Sequence, residues 1–180
     1  MYYFLLAIVF LVVIGAIGVI SLFLSYTIIP RFWGDAPYVG SKKAKVERML
    51  RLAQLSETDR VVDLGSGDGR LVFAAARKGV DEAVGYEIHP FLVWRSTVLA
   101  KILRLPNAHF IAKSFWDVSL SEFNVVLVYQ LPRVMIRLAQ KFSAELPTGA
   151  RIISNSFELP GWEAVVEEEG VRIYQKKKTL

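Results

Sequence analysis

The residues of this chain whose types and spacing could do chemistry are Asp63, Gly65, Ser66, Gly67, Asp68, Gly69 and, further on, Glu87. Arg60 to Leu64 is a short apolar run closed by glycine, the pattern of a buried parallel strand. Leu71 to Arg77 reads as a helix. Glycines between a strand end and a helix N-terminus let backbone approach a ligand closely and mark a nucleotide-type site. Asp63 ends the first strand. Glu87 ends a second, Ala83 to Glu87, and an acid at such a strand tip can accept both hydroxyls of a ribose. A dinucleotide-binding turn is spaced G-x-G-x-x-G, whereas this one is G-x-G-x-G. From the residues alone, another nucleotide or a purely structural glycine turn stays open. Asp68 either joins the site or caps the helix behind it.

The elements that must position these groups alternate. A helix is expected over Phe91 to Arg104, a strand over Ala108 to Ala112, and a strongly apolar strand over Phe123 to Tyr129. Val134 to Leu146 follows as a helix and Ala150 to Ser154 as a strand. Glu163 to Glu167 and Val171 to Gln175 form a closing hairpin around Glu168-Glu169-Gly170. Such alternation predicts an α/β fold with a parallel sheet covered on both faces. Lys42 to Leu55 carries an apolar stripe at Val46, Met49, Leu50 and Ala53, with Lys42, Lys43, Lys45, Arg48 and Arg51 opposite. That basic face suits either solvent or anionic headgroups. Trp94 is expected in the core, and His89 is expected to shape the loop before Pro90.

With 180 residues, the chain holds one domain of ordinary size, and its net charge is +5. Mean hydropathy is +0.37, with the excess at the N-terminus. Tyr3 to Ile29 carries no charge and is long enough to cross a bilayer. A secretory signal would have a basic start and a shorter core. Arg31, Lys42, Lys43, Lys45 and Arg48 follow the segment, so the positive-inside tendency puts the rest of the chain in the cytoplasm. Tyr2, Tyr3, Tyr26, Phe32 and Trp33 lie where interfacial aromatics lie. Pro30 to Gly40 is a linker, and Ser41 can cap the helix after it. There is no cysteine, and the two histidines, His89 and His109, are not at metal-ligand spacing, so no metal is expected.

The Asp63 to Gly69 turn resembles motif I of the class I S-adenosylmethionine (SAM) methyltransferases. Taken with Gly85-Tyr86-Glu87-Ile88-His89-Pro90-Phe91-Leu92-Val93-Trp94, Ser114 to Trp116 and Asn124 to Val128, the chain resembles a narrower family. These are membrane-anchored seven-β-strand protein lysine methyltransferases, whose mitochondrial members methylate the ATP synthase c-ring protein and the adenine nucleotide translocase. Pro37-Tyr38-Val39 resembles that family's Pro-aromatic-Val linker. The chain departs in two places. Ser114 stands where the family has an acid before Leu-Trp, and Tyr129-Gln130-Leu131-Pro132 replaces the Asn/Asp-Pro-Pro-aromatic motif of many amino-group methyltransferases. The second departure argues against a nucleobase target.

The resemblance implies a Rossmann-like sheet with an antiparallel C-terminal hairpin and divides the chain into an anchor over 1–30, a linker and amphipathic helix over 31–56, and a methyltransferase domain over 57–180. SAM is the implied cofactor. Gly65 and Gly67 meet its amino-acid end, with Ser66 and Asp68 in the same turn. Asp63 fixes the turn and meets the ammonium, and Glu87 takes the ribose. Ser114, Phe115 and Trp116 border adenine, and Tyr38 covers the methionine end. Tyr129 and Gln130 face the methyl group and the acceptor. Methyl transfer from a sulfonium is an in-line displacement that asks the protein chiefly to position donor and acceptor. The implied function is protein-lysine N-methylation at a membrane. The implied partners are the lipid bilayer and a membrane or membrane-associated protein with an accessible lysine, with no nucleic acid. A lipid headgroup or small membrane amine as acceptor, or a non-catalytic membrane module, stays open. No transit-peptide signature is seen, which leans towards a prokaryotic plasma membrane.

Overall fold

In a computed structural model, residues 2–27 and 43–178 are described, the side chains of 23–27 excepted. The expectations for the Pro30–Gly40 linker, Tyr38, the Ser41 cap, Lys42, and the flanking Arg31, Phe32, Trp33 and Tyr26 side chains lie outside the described residues. The chain divides into two compact units, Met1–Tyr38 and Val39–Leu180.

The first unit contains helix α1 (Tyr2–Thr27). Its Tyr2–Leu22 stretch of 21 residues has a mean hydropathy of 3.0, and its described side chains are exposed. At 1.5 Å per residue those 21 residues span about 31 Å, the thickness of a bilayer's hydrocarbon core.

The second unit is built on a seven-stranded sheet of order β3-β2-β1-β4-β5-β7-β6. Its strands are β1 (Arg60–Leu64), β2 (Glu82–Glu87), β3 (Ala108–Ala112), β4 (Val125–Val128), β5 (Arg151–Asn155), β6 (Val166–Glu168) and β7 (Val171–Gln175). Strands β1 to β5 run parallel; β7 is antiparallel to β5 and to β6. Helices α2 (Lys43–Ala53), α3 (Arg70–Ala76) and α4 (Pro90–Ile102) contribute to the core on one face, and α5 (Pro132–Glu145) to the core on the other. Pro90 and Pro132 begin their helices, where a missing amide hydrogen costs nothing. All four residues of β4 are buried, as expected of a central strand covered on both faces.

Four details differ from the sequence expectation. Strand β4 is shorter at both ends: the Phe123 amide already bonds Leu120 in a turn, and Tyr129 has left the ladder. The hairpin's first arm is Val166–Glu168 rather than Glu163 to Glu167; it runs to Glu168 because Glu169 (φ 45°) and Gly170 (φ 76°) take the left-handed backbone of a two-residue turn. Trp94 is 62% exposed rather than in the core, since α4 turns Leu92, Ser96 and Ala100 inward and position 94 lies opposite them. The basic face of α2 is largely satisfied from within. Arg51 pairs with Glu168 at 2.5 Å, Arg48 pairs with Glu168 and Glu169, and the Lys45 ammonium donates to Asn155 and Ser156. Through Val46, Met49, Leu50 and Ala53, α2 belongs to the same core as the sheet.

Candidate active site

The strand order reverses at β1: β2 lies on one side of it and β4 on the other. In open α/β sheets the carboxyl ends of strands at such a switch point form the ligand crevice. Asp63, the glycine turn, Glu87, Tyr129 and Gln130 all sit at those ends of β1, β2 and β4.

The turn hangs from β2. The Gly65 and Ser66 amides both donate to the Tyr86 carbonyl, at 2.9 and 3.0 Å, and the Gly67 amide donates to Glu87 Oε2 at 2.9 Å. The other carboxylate oxygen, Oε1, accepts from the His89 amide at 3.0 Å. Each oxygen of Glu87 thus takes one backbone hydrogen and retains a further acceptor site of the roughly four that a carboxylate offers. Two vicinal hydroxyls would complete it. Three successive amides of the turn are committed to β2, so they are not a cradle for phosphate, which such turns otherwise form.

Gly65 has a φ of 87°, and a Cβ there would come within 2.5 Å of Gln130 Nε2. That amide nitrogen donates to the Leu64 carbonyl at 2.9 Å. Gln130 is therefore buried beneath the turn, locking the tip of β4 to the end of β1. One of its two amide hydrogens goes to backbone, so the Leu64 carbonyl fixes where this side chain sits. Ser66 turns its hydroxyl inward onto Gly85, where a Cβ would meet Oγ at 2.6 Å, so Gly85 is small to seat it. The Ser66 hydroxyl is buried with no hydrogen-bond partner among the described residues, while its backbone donates to Tyr86 and accepts from the Gly69 amide.

Asp63 is 4% exposed. Burial, followed by the Glu87 and Asp68 charges, pushes its carboxyl up to about 8. Asp68 binds Arg70 through both oxygens, at 2.8 and 3.1 Å from Nε. It also accepts from the Arg70 amide at 3.3 Å. Three carboxyl groups therefore converge on the turn; Arg70 neutralises Asp68, and below pH 8 Asp63 holds its proton until a cation arrives.

Ser114 caps the short 3-10 helix Phe115–Asp117 by accepting from the Trp116 amide. The Phe115 and Trp116 rings lie 4.8 Å apart at 53°, and the Arg137 guanidinium sits 4.1 Å over Trp116. Trp116 packs on the core beneath α5, so one of its faces is already taken. Tyr129 is half-buried and stacks on Phe157 at 6.2 Å and 16°. Sequence reasoning does not single out Phe157 or Ile88 for the site. Phe157 lies just past β5, and Ile88, 55% exposed, directly follows Glu87. The signal that could find them is position, since each is a large apolar residue just past a strand tip, although Phe157 also packs on the core. Among the described residues no cluster could hold a metal ion.

The mouse adenine nucleotide translocase lysine N-methyltransferase is 40% identical over 149 residues, covering 78% of this chain and 62% of its own. A protein-lysine N-methyltransferase of Saccharolobus islandicus is 37% identical over 141 residues, covering 74% and 86%. The chain thus spans about three-fifths of the length of the mouse relative. Among solved structures, an RNA methyltransferase from Salinibacter ruber in complex with S-adenosyl-L-homocysteine superposes with a TM-score of 0.72 at 35% identity, over 79% of this chain and 96% of that one. The putative methyltransferase yhhF of Escherichia coli, 17% identical with a TM-score of 0.66 over 78% and 89%, shares the fold. Residues 63–166, from the strand-end aspartate through the start of the closing hairpin, match the ANTKMT methyltransferase domain, and the chain belongs to that family.

Proposed function

We propose that this protein is a SAM-dependent protein-lysine N-methyltransferase held at a membrane by α1. The observation that carries the reading is the glycine turn with its amides spent on β2 and the carboxyl groups of Asp63, Asp68 and Glu87 around it. Such a place repels phosphate and suits a ligand bearing a ribose and a positively charged amine and sulfur. The family relatives and the S-adenosylhomocysteine-bound neighbour support the same cofactor.

Glu87 takes the ribose hydroxyls with its two spare acceptor sites. Asp63 meets the cofactor's ammonium, giving up its proton as the cation arrives. Gly65 and Gly67 allow the amino-acid end to lie on bare backbone, and Asp68 with Arg70 braces the turn. Ile88, Ser114 and Phe115 flank adenine, with Trp116 as the packed base of that wall. Bound SAM supplies an activated methyl group on sulfur. The chain's share is to hold the acceptor in line and dry. A lysine has a reference pKa of about 10.4 and must lose a proton before attack. The stacked Tyr129 and Phe157 rings present faces that attract an ammonium group and apolar surface that favours its neutral form.

The acceptor protein is read as lying in or at the bilayer that α1 crosses, with the second unit on the cytoplasmic side of a prokaryotic plasma membrane. The cations that follow α1 support the orientation. An RNA acceptor is the second reading, favoured by the Salinibacter neighbour's described activity. It is opposed by Tyr129-Gln130-Leu131-Pro132, which lacks the base-facing Pro-Pro-aromatic pattern.

The test is methylation of membrane fractions by the full chain with methyl-labelled SAM, followed by mass spectrometry, with Glu87→Ala as the blank. Label on lysine is expected. Label in lipid or in added RNA would replace the acceptor but keep the enzyme. Failure to bind SAM in calorimetry at tens of micromolar would leave a non-catalytic membrane module.

A further inference from the structure

Helix α4 is apolar on two faces. Leu92, Ser96 and Ala100 are buried. On the opposite side Phe91 (48% exposed), Trp94 (62%), Val98 (39%) and Ile102 (70%) form a continuous stripe at helical spacing. From first to last it runs about 17 Å along the helix axis. The Phe91 and Trp94 rings touch, with centroids 5.8 Å apart, so the exposed aromatics already form one surface. Isolated exposed apolar residues are ordinary; a contiguous row on one helix marks a surface that meets something.

The surrounding charge says what it meets. Between Ile88 and Trp116 the sequence contains no Asp or Glu, while Arg95, Lys101, Arg104 and Lys113 lie within it. All four are exposed, and none makes an ion pair among the described residues. The basic residues Arg48 and Arg51 of α2 are, by contrast, paired with Glu168 and Glu169. Hydrophobic side chains with Trp and Phe among them, bordered by exposed cations, match an anionic lipid surface, where rings sit at headgroup level and basic heads reach phosphate. A protein partner of matching shape would need its own row of acids.

We propose that this face of α4 rests on the anionic membrane surface, so that the second unit lies against the bilayer in addition to being tethered to it. The proposal rests on reading α1 as a membrane span. Residues 28–42 reach at most about 50 Å even fully extended, so the tether keeps the patch at high local concentration over lipid and a weak patch suffices. Docking would fix which edge of the sheet faces the membrane and would limit acceptors to lysines close to the headgroups.

The chain has no cysteine, so a single introduced thiol gives a unique label. Full chains carrying Val12→Cys, Val98→Cys or Gln140→Cys are labelled with an environment-sensitive fluorophore. They are reconstituted in vesicles of roughly three parts phosphatidylcholine to one part phosphatidylglycerol, doped with lipid bearing a nitroxide high on its acyl chain. Quenching is expected at position 98 to roughly half the unquenched intensity and at position 12, and not at position 140 on α5. Combined Arg95→Gln, Lys101→Gln and Arg104→Gln should reduce quenching at 98 and leave 12 unchanged. Quenching at 12 without quenching at 98 overturns the docking and leaves the span intact. Quenching at neither overturns the span reading and the docking with it. Shielding of position 98 only when acceptor protein is added overturns the lipid assignment in favour of a protein-binding face.

Discussion

Two aspartates flank strand β1, and they have opposite fates. Asp59, just before the strand, is 2% exposed; Asp63, near its end, is 4% exposed. Burial alone would raise both. At Asp59 that penalty is outweighed. The Asn124 amide donates at 3.0 Å, and the Ser56 amide, donating at 2.7 Å, with Arg151 at 2.6 Å holds the carboxyl below its ordinary range. At Asp63 no such donor appears among the described residues, and the neighbouring charges of Glu87 and Asp68 add to burial, driving it up to about 8. The amino end of the sheet is thus satisfied from within, knitting β1 to the starts of β4 and β5. The carboxyl end keeps an unsatisfied acid, and a fold retains such a group where a ligand completes it.

The largest effect that sharpens this contrast is on stability. Asp59→Ala removes the carboxylate that joins Arg151, the Ser56 amide and the Asn124 amide at the start of β1, so the fold should lose about 3 kcal/mol, measured by urea unfolding. The affinity of the remaining folded protein for SAM should not change. If SAM affinity fell in proportion while the urea midpoint held, the division between the two ends would be wrong.

Glu87→Ala should act the other way round. The Gly67 and His89 amides lose their acceptor and the ribose loses its own, which should weaken SAM roughly a hundredfold, the equivalent of about two charged hydrogen bonds at about 1.5 kcal/mol each. Calorimetry reads this directly. Near-normal affinity would remove the ribose assignment.

How much of this is legible in the sequence follows the same division. Asp63, Gly65, Gly67 and Glu87 can be read because backbone geometry restricts what fits there: a tight bend needs glycine, and a strand tip fixes where an acid points. The parallel strands follow from alternation alone. What stays hidden depends on distant partners. Asp59 looks like a loop residue, because its value comes from Asn124 and Arg151, far away in sequence. Gln130 reads as a group facing substrate, and nothing in its neighbourhood announces that its amide also donates to the Leu64 carbonyl. Trp94 reads as core, because hydrophobicity does not distinguish the two apolar faces of one helix.

Asp63→Asn tests the unsatisfied acid itself. An unfolded aspartate titrates near 3.8 and the folded one near 8, so between those values the folded chain holds a proton that the unfolded chain has released. Stability therefore declines as pH rises through that window, by at most about 1.4 kcal/mol per pH unit. The asparagine variant should lack that decline and be the more stable protein at pH 8, while binding SAM roughly tenfold more weakly for want of one charged contact. In the parent, binding a cationic amine should release a proton below pH 8, so affinity should rise with pH up to that point. Titrations in buffers of different ionisation enthalpy measure the released proton directly. Asp59 predicts the reverse slope in acid: its contribution is present above its ordinary range and is lost as pH falls through its depressed value.

The smallest expected effect lies across the crevice, at the tip of β4. Among the described residues, the aromatic contact of Tyr129 is its stack on Phe157. Ring faces beside an amine contribute about 0.5–1 kcal/mol, so Tyr129→Leu should lower kcat/KM for a lysine acceptor roughly threefold to fivefold. SAM affinity should be untouched, because the cofactor contacts proposed above lie at the tips of β1 and β2 and just after β3. Tyr129→Phe keeps the face and should stay within about twofold of the parent. If phenylalanine instead were as damaging as leucine, the hydroxyl would be the working group, and proton removal from the acceptor would have an owner at this strand tip. If both variants weakened SAM rather than the acceptor, the two sides of the crevice would not be separable, and the β4 tip would belong to the cofactor.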